Sequence, residues 1–203
     1  MKRIFEGWRH PNCSDAEPAR CDWSGAADPC RLTISVYDQA MATVGRRPAE
    51  SGVLLGGYLG EGVVRHVFDD ARGTCTNVTY SPDHESLNRV LKEWWNPAGI
   101  RFLGCVHSHP GRLAEPSAGD RRYAEAILTA NPELPRLLLP IMVLEPFAQL
   151  FGFAAYRAPG GVRIESLDVV LQPEVLIWPQ GLCRAAVSGL TAGAGTTVGG
   201  SHA

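Results

Sequence analysis

The chain has 203 residues, 19 Lys plus Arg against 21 Asp plus Glu, and 45% hydrophobic residues. A domain of this size buries enough apolar surface to fold without disulfide or metal staples, so a metal here is a candidate for chemistry first. The formal charge of -2 comes without a long Lys or Arg run, which removes the clustered positive charge that nucleic-acid and anionic-membrane binding rely on, and neither partner is expected.

Residues 1–30 are rich in Pro, Asp, Ala and Cys, lack sustained periodicity, and read as an irregular N-terminal extension. The start reaches Trp8, Arg9, His10 and Pro11 before any apolar run forms, so it does not read as a secretory signal and a cytoplasmic protein is expected. In that compartment Cys13, Cys21, Cys30, Cys75, Cys105 and Cys183, with no Cys-x-x-Cys pair, are expected to be mostly reduced. His10 with Cys13, Cys21 and Cys30 is a minor zinc candidate, because its gaps exceed those of close ligand pairs. The preferred reading is an extension whose Trp8 and Trp23 pack on the main body.

Organised structure is expected from Arg31. Leu32, Ile34 and Val36 alternate with Thr33, Ser35 and Tyr37, predicting a strand over 31–37, and 38–44 reads as a short helix ending before Gly45 and Pro48. Residues 51–59 and 62–68 predict two strands joined by the turn Gly60-Glu61-Gly62. Starting near Pro82 or Asp83, Leu87, Val90, Leu91 and Trp94 follow the i, i+3, i+4, i+7 rule, predicting a helix stopped by Asn96-Pro97. Trp95 lies off that stripe and is either an exposed aromatic that touches a partner or one packed on a neighbouring loop.

Residues 100–107 predict a strand, 119–129 a helix, and 137–144, 148–156 and 162–169 three more strands. The segment 137–144, the longest strongly apolar stretch and interrupted by Pro140, is far below the roughly 18–20 residues of a membrane helix, so a soluble chain is expected. Several neighbouring strands have connections too short for a crossover helix, and the expected fold class is α/β (α+β) with a mixed central β-sheet flanked by helices. The expected division is an extension over 1–30, a main domain over 31–172, and a C-terminal segment over 173–203 with a flexible Gly-rich tail.

The segment GCVHSHPGRLAEPSAGD, residues 104–120, is where the chemistry concentrates. His107 and His109 stand two apart at the end of a predicted strand. Strand side chains alternate faces, so these two project the same way with Cα atoms about 6–7 Å apart, a span that lets two imidazoles converge on one ion. Ser117 is a plausible N-cap for the following helix, which puts Asp120 in its first turn beside the strand end. Two imidazoles, one carboxylate and a water make a tetrahedral site suited to zinc, with the open position of a catalytic site. Ser117-Ala118-Gly119-Asp120 is also a capping box needing no metal, and the two readings are compatible. Cys105 shares the histidines' face but lies deeper toward the core, where cysteines behave as small hydrophobes. His66 and His84 lack such partners in sequence and read as structural or solvated.

This pattern resembles the JAMM, or MPN-plus, metalloproteases of the JAB domain family. Their signature is an upstream Glu, then His-Ser/Thr-His, seven residues, Ser, two residues and Asp. Here His107-Ser108-His109, seven residues, Ser117, two residues and Asp120 keep that spacing, and Glu50 in AESGVLLGG matches the upstream Glu. The resemblance covers roughly 31–170 and implies a cytidine-deaminase-like layout. It further implies one zinc ion held by His107, His109 and Asp120, with Glu50 as general base and Ser117 as hydrogen-bond donor to the oxyanion.

By the same resemblance, the expected activity is that of an isopeptidase or peptidase cutting after the C-terminal Gly-Gly of a ubiquitin-like protein. The short connection Glu145-Pro146-Phe147 leaves no space for the insertion eukaryotic relatives carry there. The compact form looks like prokaryotic JAB proteins, which implies a ubiquitin-like substrate and E1-like and E2-like conjugation enzymes as partners. The alternative is a non-catalytic MPN-type interaction scaffold, although such proteins typically lack the metal residues. A nucleobase deaminase is disfavoured, since neither His-x-Glu nor Pro-Cys-x-x-Cys occurs.

Overall fold

Thr33 decides where the first strand stops. In the computed structural model, which describes residues 28–47, 50–75 and 80–174, strand β1 (Cys30–Thr33) gives way at once to helix α1 (Ile34–Thr43). The Thr33 hydroxyl accepts the Val36 N–H at 3.4 Å, capping the helix. The alternation that predicts strand over 31–37 is thereby overridden, because a capping hydroxyl offers the backbone another partner than a ladder. Val36, Ala40 and, in the short 3-10 turn that follows, Val44 recur every four residues and are buried, whereas Ile34 faces outward.

Strand β2 (Gly52–Tyr58) and the turn after it agree with expectation; Gly60 and Gly62 both take positive φ. The second arm divides into β3 (Val63–Val64) and β4 (His66–Asp69), which serve different sheets, with the Arg65 N–H between them donating to Gly56 at 2.8 Å. A small hairpin, β5 (Thr74–Cys75) with β6 (Tyr80–Ser81), is too short to leave a periodic signal.

Helix α2 (His84–Val90) begins at Asp83, whose carboxylate accepts the Ser86 N–H at 3.2 Å. Its continuation, Leu91–Trp95, is a π-turn: the Asn96 N–H donates to the Leu91 carbonyl, five residues back, at 2.9 Å. The extra residue per turn rotates the apolar stripe. Trp95 is consequently 6% exposed and Trp94 64% exposed, the reverse of the regular-helix expectation. The Trp95 ring covers Gly56, where a β-carbon would overlap it. Trp95→Ala is expected to cost about 3–5 kcal/mol and Trp94→Ala less than about 0.5 kcal/mol. Equal losses in denaturant midpoint would contradict this phase.

The chain continues as β7 (Ile100–His109), α3 (Ala118–Ala130), β8 (Arg136–Leu138), β9 (Ile141–Val143), β10 (Gln149–Ala158), β11 (Gly161–Leu167) and β12 (Val169–Gln172). Two expected strands are each divided. Residues 137–144 break at Leu139-Pro140, where proline brings no N–H, Leu139 donates to Phe153 at 2.8 Å and the Pro140 carbonyl accepts from His107 at 3.2 Å. Residues 162–169 break at Asp168, whose carbonyl accepts the Cys30 N–H at 2.8 Å as the chain passes into β12, the strand that pairs with β1.

The main sheet has seven strands in the order β11-β10-β8-β7-β2-β4, with β9 also lying between β10 and β7. It is mixed as expected: β7 runs antiparallel to β2 and parallel to β8 and β9. The second sheet, β12-β1-β3, is parallel throughout. Side chains alternate between two apolar layers. Leu54, Cys105, Leu137 and Phe153 join α2 and α3 on one face. Val53, Leu55, Val106 and Leu138 join α1 and β1 on the other.

The β2/β7 register carries an irregularity that bears on everything downstream. Leu55 pairs with Gly104 but Gly56 pairs with Phe102, so Leu103 is an extra residue on β7. This bulge resets the alternation, putting Cys105 on the same face as Phe102. His107 and His109 then follow Cys105 toward α3.

These elements belong to a compact unit that ends at Pro173. The Trp8, His10, Cys13, Cys21 and Trp23 readings and the Gly-rich tail lie outside the described residues. Cys30 is buried within β1, and burial pushes its thiol up to about 12 despite the opposing charge of Arg136. Among the described residues, no helix is long and apolar enough to cross a membrane.

Candidate metal centre

His107 and His109 sit at the C-terminal end of β7, paired through the parallel register His107↔Ile141 and His109↔Val143 to β9. Asp120 reaches them from the first turn of α3. The two Nε2 atoms are 3.0 Å apart, His107 Nε2 is 3.1 Å from Asp120 Oδ1, and His109 Nε2 is 3.2 Å from Asp120 Oδ2. The ligand atoms of the three residues all lie within 4.8 Å of one another. Both histidines are buried and Asp120 is partly exposed.

Two of the three ligands, His109 and Asp120, are oriented from behind. The Leu113 carbonyl lies 3.2 Å from His109 Nδ1; with Nδ1–H donating to that oxygen, the Nε2 lone pair points into the group. The Ser117 N–H donates to Asp120 Oδ2 at 2.6 Å, and the Ser117 hydroxyl accepts the Asp120 N–H at 3.2 Å. The capping box is therefore real and also aims the carboxylate. At its far end α3 is fastened by Arg157, whose guanidinium donates to the carbonyls of Leu128, Asn131 and Leu134 at 2.6–2.7 Å.

The electrostatics favour added positive charge. Burial pushes His109 down, but its hydrogen bond to Asp120 and the negative charges of Asp120 and Glu50 prevail and raise it. Burial pushes Asp120 up, and hydrogen bonds from His107, His109 and Ser117 hold it well below the usual carboxylate range. A proton or a cation satisfies such a group. The donor set fits zinc, whose usual ligands include imidazole nitrogens and carboxylate oxygens, and the two imidazole nitrogens, 3.0 Å apart, lie close to the about 3.3 Å between donors of a tetrahedron with bonds of about 2.0–2.1 Å. The His-His-Asp group can hold a metal ion.

Glu50 immediately precedes Ser51 and β2. Two residues after it, Gly52 pairs with His107, and the negative charge of Glu50 helps to raise His109. All five expected residues thus fall in one region: three as a metal-capable group, Ser117 as the cap beside it, and Glu50 at its edge.

The other candidates lie elsewhere. Cys105 is buried in the core, and burial pushes its thiol up to about 12 despite a hydrogen bond from Tyr123. Iodoacetamide at pH 8 is expected to leave Cys30 and Cys105 unmodified in the folded chain, as read by peptide mass spectrometry; alkylation without unfolding would contradict this packing. His66 meets the Tyr58 ring edge-on at 5.3 Å, and burial lowers both His66 and His84. Neither belongs to the metal-capable group.

Sequence reasoning missed two polar supports, the Leu113 carbonyl and the Ser51/Ser108 pair. Ser108 is 0% exposed, and its hydroxyl accepts the Ser51 N–H at 3.0 Å. Its position between two same-face histidines on a strand was the available signal, since it must face the opposite side.

A mixed sheet with flanking helices and a His-His-Asp group at the end of its central strand defines an α/β domain with a candidate metal centre. Residues 31–151 match the model of the prokaryotic homologs of the JAB domain, and the chain belongs to that family. The structure is also similar to the solution structure of protein DSY2949 from Desulfitobacterium hafniense, with a TM-score of 0.54 and 26% identity, over 72% of this chain and 95% of that one. No curated protein matches the sequence.

Proposed function

We propose that the chain is a zinc-dependent isopeptidase or peptidase that cleaves after the C-terminal Gly-Gly of a ubiquitin-like modifier. The observation that carries this reading is the convergence of His107, His109 and Asp120 with Glu50 at their edge. Zinc held by the three ligands would supply Lewis acidity and bring the pKa of a coordinated water to about 7.

The chain's own residues supply the rest. Glu50 takes a proton from the attacking water and returns it to the leaving amine, acting first as base and then as acid. Ser117 uses its oxygen to accept the Asp120 N–H, and its hydroxyl proton is the one that donates to the substrate carbonyl oxygen as charge develops there. A diglycine tail suits a narrow approach to buried ligands, because only glycine lets backbone come so close. E1-like and E2-like enzymes are the partners this reading implies, in the cytoplasm.

The test is mass spectrometry of products after incubating the zinc-loaded chain with a ubiquitin-like protein extended beyond its diglycine. Release of the extension at that bond is expected. Less than about half an equivalent of zinc after gentle purification, with no cleavage on zinc addition, would favour an interaction scaffold instead.

A further inference from the structure

We infer that Ser108 is a positioning residue: from the opposite face of the sheet, its buried hydroxyl clamps the backbone at Ser51 and so holds Glu50 against the His-His-Asp group. The inference rests on the proposed metal-dependent reading and adds a support for its base.

Strand β2 begins at Gly52, which pairs with His107. One residue earlier the ladder is completed in an unusual way. The Ser108 N–H donates to the Ser51 carbonyl at 2.9 Å as a backbone ladder would. The Ser51 N–H, however, is met by the Ser108 side chain at 3.0 Å. The two hydroxyls lie 3.4 Å apart, and both serines are essentially inaccessible to solvent. Without this acceptor, a buried N–H would lose its partner at the point where the chain turns into Glu50.

The side-chain alternation separates this clamp from the chemistry. Ser51 and Ser108 face the layer of Val53, Leu55 and Val106, while Gly52, His107 and His109 face α3. Glu50 comes one residue before Ser51, and its charge acts on His109. Ser108 therefore acts on Glu50 through one stretch of backbone and touches neither ligand oxygen nor substrate. Loss of that hydrogen bond loosens the segment that carries the carboxylate, with the Ser108 N–H still bonded to the Ser51 carbonyl, while His109 and Asp120 keep their own supports at Leu113 and Ser117.

The test uses cobalt(II) in place of zinc, with glutamate labelled at the carboxylate carbon. In the wild-type chain, one equivalent of cobalt is expected to bind and to shift and broaden the Glu50 signal strongly. Ser108→Ala should still bind one equivalent, lose most of that paramagnetic shift, and exchange its Ser51 amide hydrogen about tenfold faster. Ser51→Ala removes a neighbouring buried hydroxyl but keeps the Ser51 N–H and the Ser108 acceptor, and should retain the wild-type signal. Ser108→Thr, which restores the oxygen, should do the same. If Ser108→Ala does not fold by circular dichroism, Ser108→Cys, nearly isosteric with a weaker acceptor, carries the same expectation. An unchanged Glu50 signal in a folded, cobalt-loaded Ser108 variant would overturn the positioning role alone. No cobalt uptake by the wild-type chain would overturn the metal reading and this inference with it.

Discussion

Glu50→Gln is expected to leave about one equivalent of zinc bound while lowering cleavage of a diglycine-extended modifier by about 10²–10⁴-fold, the usual contribution of a positioned general base. The amide keeps the size of the carboxylate but cannot take a proton. Zinc should stay because none of His107, His109 and Asp120 is altered. His109→Ala is expected to lose both metal and turnover, since it removes a buried ligand held by the Leu113 carbonyl. Zinc analysis beside initial rates separates the two variants. Near-normal cleavage by Glu50→Gln would show that the proton passes through another group.

Gly104→Ala is expected to cost about 3 kcal/mol, combining overpacking with backbone strain, and to lower the melting temperature by about 10 °C. A β-carbon at Gly104 would overlap the backbone carbonyl of Leu138. That neighbour cannot swing aside as a flexible side chain would, because Gly104↔Leu138 is where β7 pairs with β8. The same glycine lies at the bulge that turns Cys105, His107 and His109 toward α3. Zinc affinity should therefore fall along with stability in Gly104→Ala. Calorimetry together with zinc titration checks both, and a variant as stable as wild type with full zinc binding would show that the β7/β8 approach can relax.

The contrast between Trp94 and Trp95 shows where pattern reading reaches its limit. Local spacing carries the existence of a helix near Asp83, because capping and apolar recurrence act within a few residues. It does not carry the π-turn, which inserts one residue of phase and is stabilised by Trp95 packing over Gly56. Thr33 makes a similar point: a hydroxyl in an alternating run serves strand and helix cap alike, and burial of Val36 and Ala40 decides between them.

The site was more legible than the fold around it. His107, His109, Ser117 and Asp120 lie within fourteen residues, and their spacing reflects two local rules, strand alternation and helix capping, that hold wherever the segment is placed. Glu50 could be matched through the resemblance, but nothing local to it says which side chain it meets. Strand limits at Pro140 and Asp168 were blurred because the apolar pattern runs on after the hydrogen-bond partner changes.

By itself, the amino-acid order determined the donor types, the cap that aims Asp120, and the mixed α/β class, all consequences of side-chain chemistry and short-range backbone geometry. Only the tertiary structure decided that a bulge at Leu103 turns the histidines toward α3, that Ser108 reaches across to Ser51, and that the charge of Glu50 acts on His109. Those outcomes depend on register between strands some 50 residues apart in sequence, and register is set by the packing of two faces at once.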